Sequence, residues 1–207
     1  MRKKIYSERR RKVHVFVRNI IKKMPRYSWL NSKKISTLEI DPLTSIYNQF
    51  GINFYLKELR PRPEQNYAIM LLNLDNFKNI QYSFGLKAAE KALVKTARLL
   101  TQNIRDTDLV GRYGEHEFIL ILCDIELDDA NDVAQRCLNV IQNTPIRFNA
   151  QNIVLNASCG VSTSDHDLVS DKVLQYADRA LFLAKASGVN QLRDQRAVFG
   201  SFNLASL

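Results

Sequence analysis

A chain of 207 residues, 45% hydrophobic and 25% charged, suits one globular domain plus an extension. No apolar run is long enough to span a bilayer, and no secretory apolar segment follows the basic N-terminus, so the reading is of a cytoplasmic protein. The net charge of +9 lies at one end: residues 1–40 carry 13 Lys and Arg against Glu8 and Glu39, and the 17 basic and 19 acidic residues beyond nearly cancel, so the basic character says nothing about the globular part's own ligand.

From the N-terminus, a basic run over 2–12 precedes Val13, Phe16, Val17, Ile20, Ile21 and Met24, whose spacing is one face of a helix. Arg11, Lys12, Arg18, Lys22 and Lys23 lie elsewhere around it, and Pro25 ends the pattern. A basic amphipathic helix has several uses: contact with an anionic surface at the periphery of the inner membrane, docking on a protein partner, pairing in a homodimer, or packing on its own domain. Nucleic acid is the least favoured partner, because no groove-reading motif accompanies the charge.

Asp41-Pro42-Leu43-Thr44 reads as a helix start, with Asp41 as the cap and Pro42 in the first turn. Tyr67 to Leu74 is nearly continuously apolar, the pattern of a central buried strand. A helix over about 86–104 aligns Ala89, Leu93, Ala97, Leu100 and Ile104 on one face. Asp108 to Tyr113 and Phe118 to Cys123 read as strands joined by a tight turn whose tip clusters Glu115, His116 and Glu117. A glycine at that turn supplies a positive φ and lets a group approach the backbone.

A helix from Ala130 to Ile141 turns Val133, Cys137, Val140 and Ile141 inward, and Ile153 to Thr163 alternates as a strand. Leu174, Ala177, Leu181 and Ala184 mark a last helix, which Gly188 terminates. Residues 191–207 read as a short edge strand and a loose tail. Cys123, Cys137 and Cys159 are scattered in apolar contexts, as reduced core thiols are, not as a metal site or disulfide frame. The order β-α-β-β-α-β-α is that of an α+β, ferredoxin-like core, a mostly antiparallel central sheet flanked by helices, with an N-terminal helical extension. The expected division is 1–40 extension, 41–195 domain and 196–207 C-terminal tail.

Two stretches carry a family resemblance. Arg112-Tyr113-Gly114-Glu115-His116-Glu117-Phe118 resembles the signature hairpin of GGDEF-domain diguanylate cyclases, Arg-Tyr-Gly-Gly-Asp/Glu-Glu-Phe; Gly114, Glu117 and Phe118 match the signature letters, and Glu115 and His116 do not. Asp41, Leu43, Thr44 and Asn48 match the Asp-x-Leu-Thr-Gly-Leu-x-Asn-Arg segment that opens such domains, with Ser45 and Gln49 departing from it. The resemblance runs from residue 41 to about 195 and implies the palm-type GGDEF fold.

It also implies a chemistry. Diguanylate cyclases join two GTP molecules, each held by one domain of a dimer, with a hard divalent ion such as Mg²⁺ on the triphosphate. The metal carboxylate that ends the first long strand in the family is Asn73 here, and the one inside the signature is His116. Asp75, Phe77, Lys78 and Ile80 match the strand-end pattern. Gln81 and Glu90 stand at guanine-reading positions, each one methylene longer than the family residue, and Glu115 sets a carboxylate where a glycine leaves room for the nucleotide. Glu117 and Lys185 match positions tied to catalysis and phosphate binding, while Val189 stands where an Arg usually follows the glycine. Asn73, Glu115, His116 and Glu117 are thus the degenerate catalytic positions, and the expectation is of no metal, no cofactor and no cyclase activity. An alternative grouping of Glu115, His116 and Asp75 as a different metal site is weighed and not adopted, since a polar hairpin tip needs no ligand.

Many members of the family carry a second site, for the product cyclic di-GMP, marked by Arg-x-x-Asp ending five residues before the signature. Arg105-Asp106-Thr107-Asp108 stands at that spacing, and Arg136 occupies the place of a helping arginine. Arg suits guanine O6 and N7, and a carboxylate suits its N–H donors; the plainer reading of the same residues is a solvated turn. Two functions stay open: a cyclic di-GMP receptor in bacterial biofilm or motility regulation that signals to a protein partner, or a nucleotide-independent interaction or scaffold module using the N-terminal helix and the domain surface.

Overall fold

The computed structural model describes residues 39–59, 66–164 and 170–204; the helix expected over 13–24 lies outside the described residues. In chain order the elements are β1 (Tyr47–Asn48), α1 (Gln49–Glu58), β2 (Tyr67–Leu74), α2 (Phe77–Phe84), α3 (Leu86–Gln102), β3 (Leu109–Arg112), β4 (Glu117–Cys123), α4 (Leu127–Gln142), β5 (Ile146–Phe148), β6 (Gln151–Ile153), β7 (Ala157–Thr163), α5 (Ser170–Ala186), β8 (Leu192–Asp194) and α6 (Gln195–Leu204). Six strands form one sheet in the order β1-β3-β4-β2-β7-β8, and β5 with β6 makes a separate hairpin. The three inner pairings, β3–β4, β4–β2 and β2–β7, are antiparallel, and the outer ones, β1–β3 and β7–β8, are parallel.

β2 is buried at all eight positions, as its apolar run predicts, because both faces of the sheet are covered. Strand alternation divides its side chains. Ala68, Met70, Leu72 and Leu74 join Leu120, Leu122 and Val161 under α2, α3 and α4, around Ala89, Leu93, Leu100 and Leu138. Tyr67, Ile69 and Leu71 join Ile119 and Ile121 under α1 and α5, against Ile52, Leu56, Val173, Ala177 and Leu181. Two glycines set how close the helices of the second face lie. A Cβ on Gly160 of β7 would stand 2.1 Å from the Ala177 carbonyl oxygen, and one on Gly111 of β3 would stand 2.4 Å from the Ile52 side chain.

Three sequence expectations change. Asp41 does not start a helix: it closes a turn, accepting from the Thr44 N–H at 2.7 Å and the Thr44 hydroxyl at 2.6 Å, and α1 begins only at Gln49, where the Asn48 side chain accepts from the Gly51 N–H. The stretch expected as one strand over 153–163 is divided between β6 and β7, because Asn149 and Ala150, both at positive φ, fold 146–153 into its own hairpin. Residues 195–204 form a helix instead of a loose tail. Its Val198 is buried, Phe199 meets Tyr176 of α5 edge-on at 5.1 Å, and the buried Gln195 side chain accepts from the Ser162 hydroxyl and the Thr163 N–H.

Candidate functional site

β2 ends against the β3–β4 hairpin, where Asn73 and Glu117 are register partners. Asn73 is 3% exposed, and its Nδ2 donates to Glu117 Oε1 at 3.0 Å. From the last turn of α5, Lys185 Nζ donates to Asn73 Oδ1 at 3.0 Å. Three elements thus deliver one continuous chain from ammonium to amide to carboxylate. The glycine of the tip has the second of its two expected roles only. Gly114 is not among the positive-φ residues, but a Cβ there would lie 2.6 Å from Glu117 Oε2, so its missing side chain is what admits the Glu117 carboxylate.

His116 is built into the hairpin from both sides. Its carbonyl accepts from the Leu74 N–H at 3.2 Å, and its ring stacks on Phe77 with centroids 5.2 Å apart and planes 9° from parallel. Burial pushes its pKa below the ordinary value; Glu115 and Glu117 oppose that shift, and Lys185 and Lys78 reinforce it. Glu115 is exposed, and its carbonyl accepts from Arg112 Nη2 at 2.7 Å while Arg112 Nη1 pairs with Asp41 at 3.3 Å. The tip is thereby tied to the point where the chain enters the domain. The sequence reading missed this tie, although Asp41 and Arg112 both lie in stretches it singled out.

Asp75, just past β2, has Oδ2 occupied by the Ser158 hydroxyl at 3.0 Å and the Asn190 N–H at 2.8 Å. Ser158 and Asn190 had no local sequence signal, since they meet Asp75 only because β7 lies beside β2. Gln81 and Glu90 are exposed on α2 and α3.

The Arg105–Asp108 turn differs from expectation. Arg105 is exposed, but Asp108 is 6% exposed, with Oδ2 accepting from the Arg105 N–H at 2.8 Å and Oδ1 from the Cys123 N–H at 3.1 Å. Its carboxylate holds the turn and fastens it to the end of β4. Arg136 of α4 is exposed, and its Nη2 donates to the Asn103 carbonyl at 2.9 Å, which brings it to the same edge as Arg105.

The divalent ion that the family resemblance implies does not fit the donors at the hairpin. Asn73 offers a neutral oxygen that already accepts from Lys185, its NH₂ faces Glu117, and His116 is a nitrogen ligand lying on Phe77. Asp75 is turned to Ser158 and Asn190, and among the described residues no group of three or more His, Cys, Asp or Glu converges as a metal site. The alternative grouping of Glu115, His116 and Asp75 is thus not brought together as one.

A mixed sheet with helices on both faces and a polar hairpin beside the end of its central strand defines a palm-type domain. The diguanylate cyclase GGDEF domain description matches residues 38–191, and the chain belongs to this family. Diguanylate cyclase DgcP of Pseudomonas aeruginosa is 28% identical over 155 residues, covering 73% of this chain and 23% of the relative. Diguanylate cyclase A of Treponema denticola is 31% identical over 130 residues, covering 62% of this chain and 35% of the relative. Among solved structures, the diguanylate cyclase SiaD of Pseudomonas aeruginosa, in complex with its activator SiaC, aligns with a TM-score of 0.73 at 28% identity, over 90% of this chain and 72% of that one. The chain spans about a quarter to a third of the length of these two curated relatives.

These matches correct one expectation. The sequence reading took the chain to be no enzyme; that expectation is overturned by its similarity to curated relatives that are diguanylate cyclases. Among the described residues no helix is long and apolar enough to cross a membrane.

Proposed function

We propose that this GGDEF domain serves cyclic di-GMP signalling by binding cyclic di-GMP at the Arg105–Asp108 turn and relaying its occupancy to a protein partner. The observation that carries the reading is that Arg136, reaching the Asn103 carbonyl from another helix, joins exposed Arg105 at one edge of the domain. Two guanidinium groups there can each present paired N–H donors to guanine O6 and N7. Asp108 also shapes the turn from which Arg105 projects, its carboxylate accepting from the Arg105 and Cys123 N–H groups. Isothermal titration of the purified chain with cyclic di-GMP tests the reading. Saturable binding that Arg105→Ala and Arg136→Ala each weaken supports it, and no heat at high micromolar ligand overturns it.

A second reading, docking of a protein partner, has its own support in SiaD, whose structure is of a complex with its activator SiaC. The apolar stripe of the N-terminal extension is the surface it would use. Replacing Phe16 and Ile20 by Glu is expected to abolish complex formation or localisation and leave the cooperative melt of the domain intact; loss of that melt would place the stripe in the domain core instead.

A further inference from the structure

The Asn73–Glu117 pair has a consequence for cations. Register brings the two side chains together on one face of the sheet, with Asn73 Nδ2 at 3.0 Å from Glu117 Oε1. An amide suits this place without help: it donates to the carboxylate with its NH₂ and accepts from Lys185 Nζ with its oxygen, also at 3.0 Å. A carboxylate at position 73 would set two anions at the same separation, and such a pair calls for a cation between them. The Lys185 ammonium already supplies the positive charge on one side. Gly114 leaves space for Glu117 Oε2, which a Cβ there would meet at 2.6 Å.

We infer that Asn73 replaces a protein-held divalent ion by a closed Lys185–Asn73–Glu117 chain, so that the free protein takes up no Mg²⁺ or Mn²⁺ at this hairpin, and that Asn73→Asp alone converts the pair into a divalent-cation site. The determinant is one atom: the Asn73 nitrogen occupies the lone pair of Glu117 that an ion would use. Charge count governs the affinity of oxygen sites for hard cations, and the substitution adds a second carboxylate facing the first. This inference is separate from the cyclic di-GMP reading, and its test contains no nucleotide.

The probe is Mn²⁺ alone, followed by electron paramagnetic resonance of the free ion and by thermal melting, on wild type, Asn73→Asp, Glu117→Gln and the double variant. Wild type is expected to show no saturable uptake that Glu117→Gln removes, and no change of melting temperature with Mn²⁺. Asn73→Asp is expected to gain saturable Mn²⁺ uptake, to melt lower than wild type in EDTA, and to recover with Mn²⁺. Adding Glu117→Gln to it should abolish both effects. Stoichiometric uptake by wild type that depends on Glu117 overturns the inference, as does a folded Asn73→Asp protein that takes up no ion. Should Asn73→Asp fail to fold in EDTA, rescue of its melt by Mn²⁺ supports the inference and failure of rescue overturns it.

Discussion

The hairpin beside β2 and the turn after α3 both carry charged groups that a sequence reading assigns to ligands, yet they are held together differently. At the hairpin, Lys185, Asn73 and Glu117 come from three elements, up to 112 residues apart, and satisfy one another side chain to side chain. At the turn, Asp108 accepts from the backbone N–H of Arg105 three residues away and from that of Cys123 on the neighbouring strand. The difference teaches which residues can change without cost to the fold. A side chain that serves the backbone is part of the architecture, and removing it leaves buried N–H groups unpaired. A side chain that serves another side chain can be exchanged when its partner has a second arrangement.

The largest expected effect breaks the turn. Asp108→Ala leaves two backbone donors without their acceptor and should cost about 2–3 kcal/mol in urea unfolding, with any loss of cyclic di-GMP binding following from the distorted turn. If stability is unchanged, the carboxylate is not structural and its direct use by a ligand returns. Next, Arg105→Ala should weaken cyclic di-GMP binding tenfold to a hundredfold, about 1–3 kcal/mol, and leave the urea midpoint nearly where it was, because the side chain is exposed. Equal stability losses in the two variants would erase the contrast between scaffold and ligand residue.

Smaller again is Arg112→Ala, which releases Asp41 and the Glu115 carbonyl together. A cost of about 1 kcal/mol is expected, with faster amide exchange at the hairpin tip and at Thr44 but not at the Arg105 turn. Exchange confined to one of the two ends would show that Arg112 does not couple them. The smallest effect is a pH slope. Burial holds His116 below its ordinary value of 6.5, so the unfolded chain takes up a proton there before the folded one does. Stability contributed by the neutral ring is full above pH 6.5 and falls as pH drops through that value toward the folded pKa. His116→Phe, which keeps a ring against Phe77, should lack that part of the slope when urea midpoints are compared between pH 7.5 and pH 5.

Local pattern determined much of this protein. The unbroken apolar run of 67–74 was enough for a central strand, the spacing of Ala89, Leu93, Ala97 and Leu100 for a buried helix face, and Gly188 for the end of α5, because burial, periodicity and positive φ are properties of neighbouring residues. The hairpin tip was legible for the same reason, since its polar cluster interrupts two apolar strands. Tertiary structure alone decided what those polar groups do. Asp108 is buried because β4 runs past it, and nothing within Arg105-Asp106-Thr107-Asp108 records that the Cys123 N–H will be there. Asp75 meets Ser158 and Asn190, and Lys185 meets Asn73, only once β7 and α5 lie against β2. Hydrogen bonds between distant residues depend on strand order and register, which no short window of sequence contains, and they decide whether a carboxylate faces a ligand or the protein's own backbone.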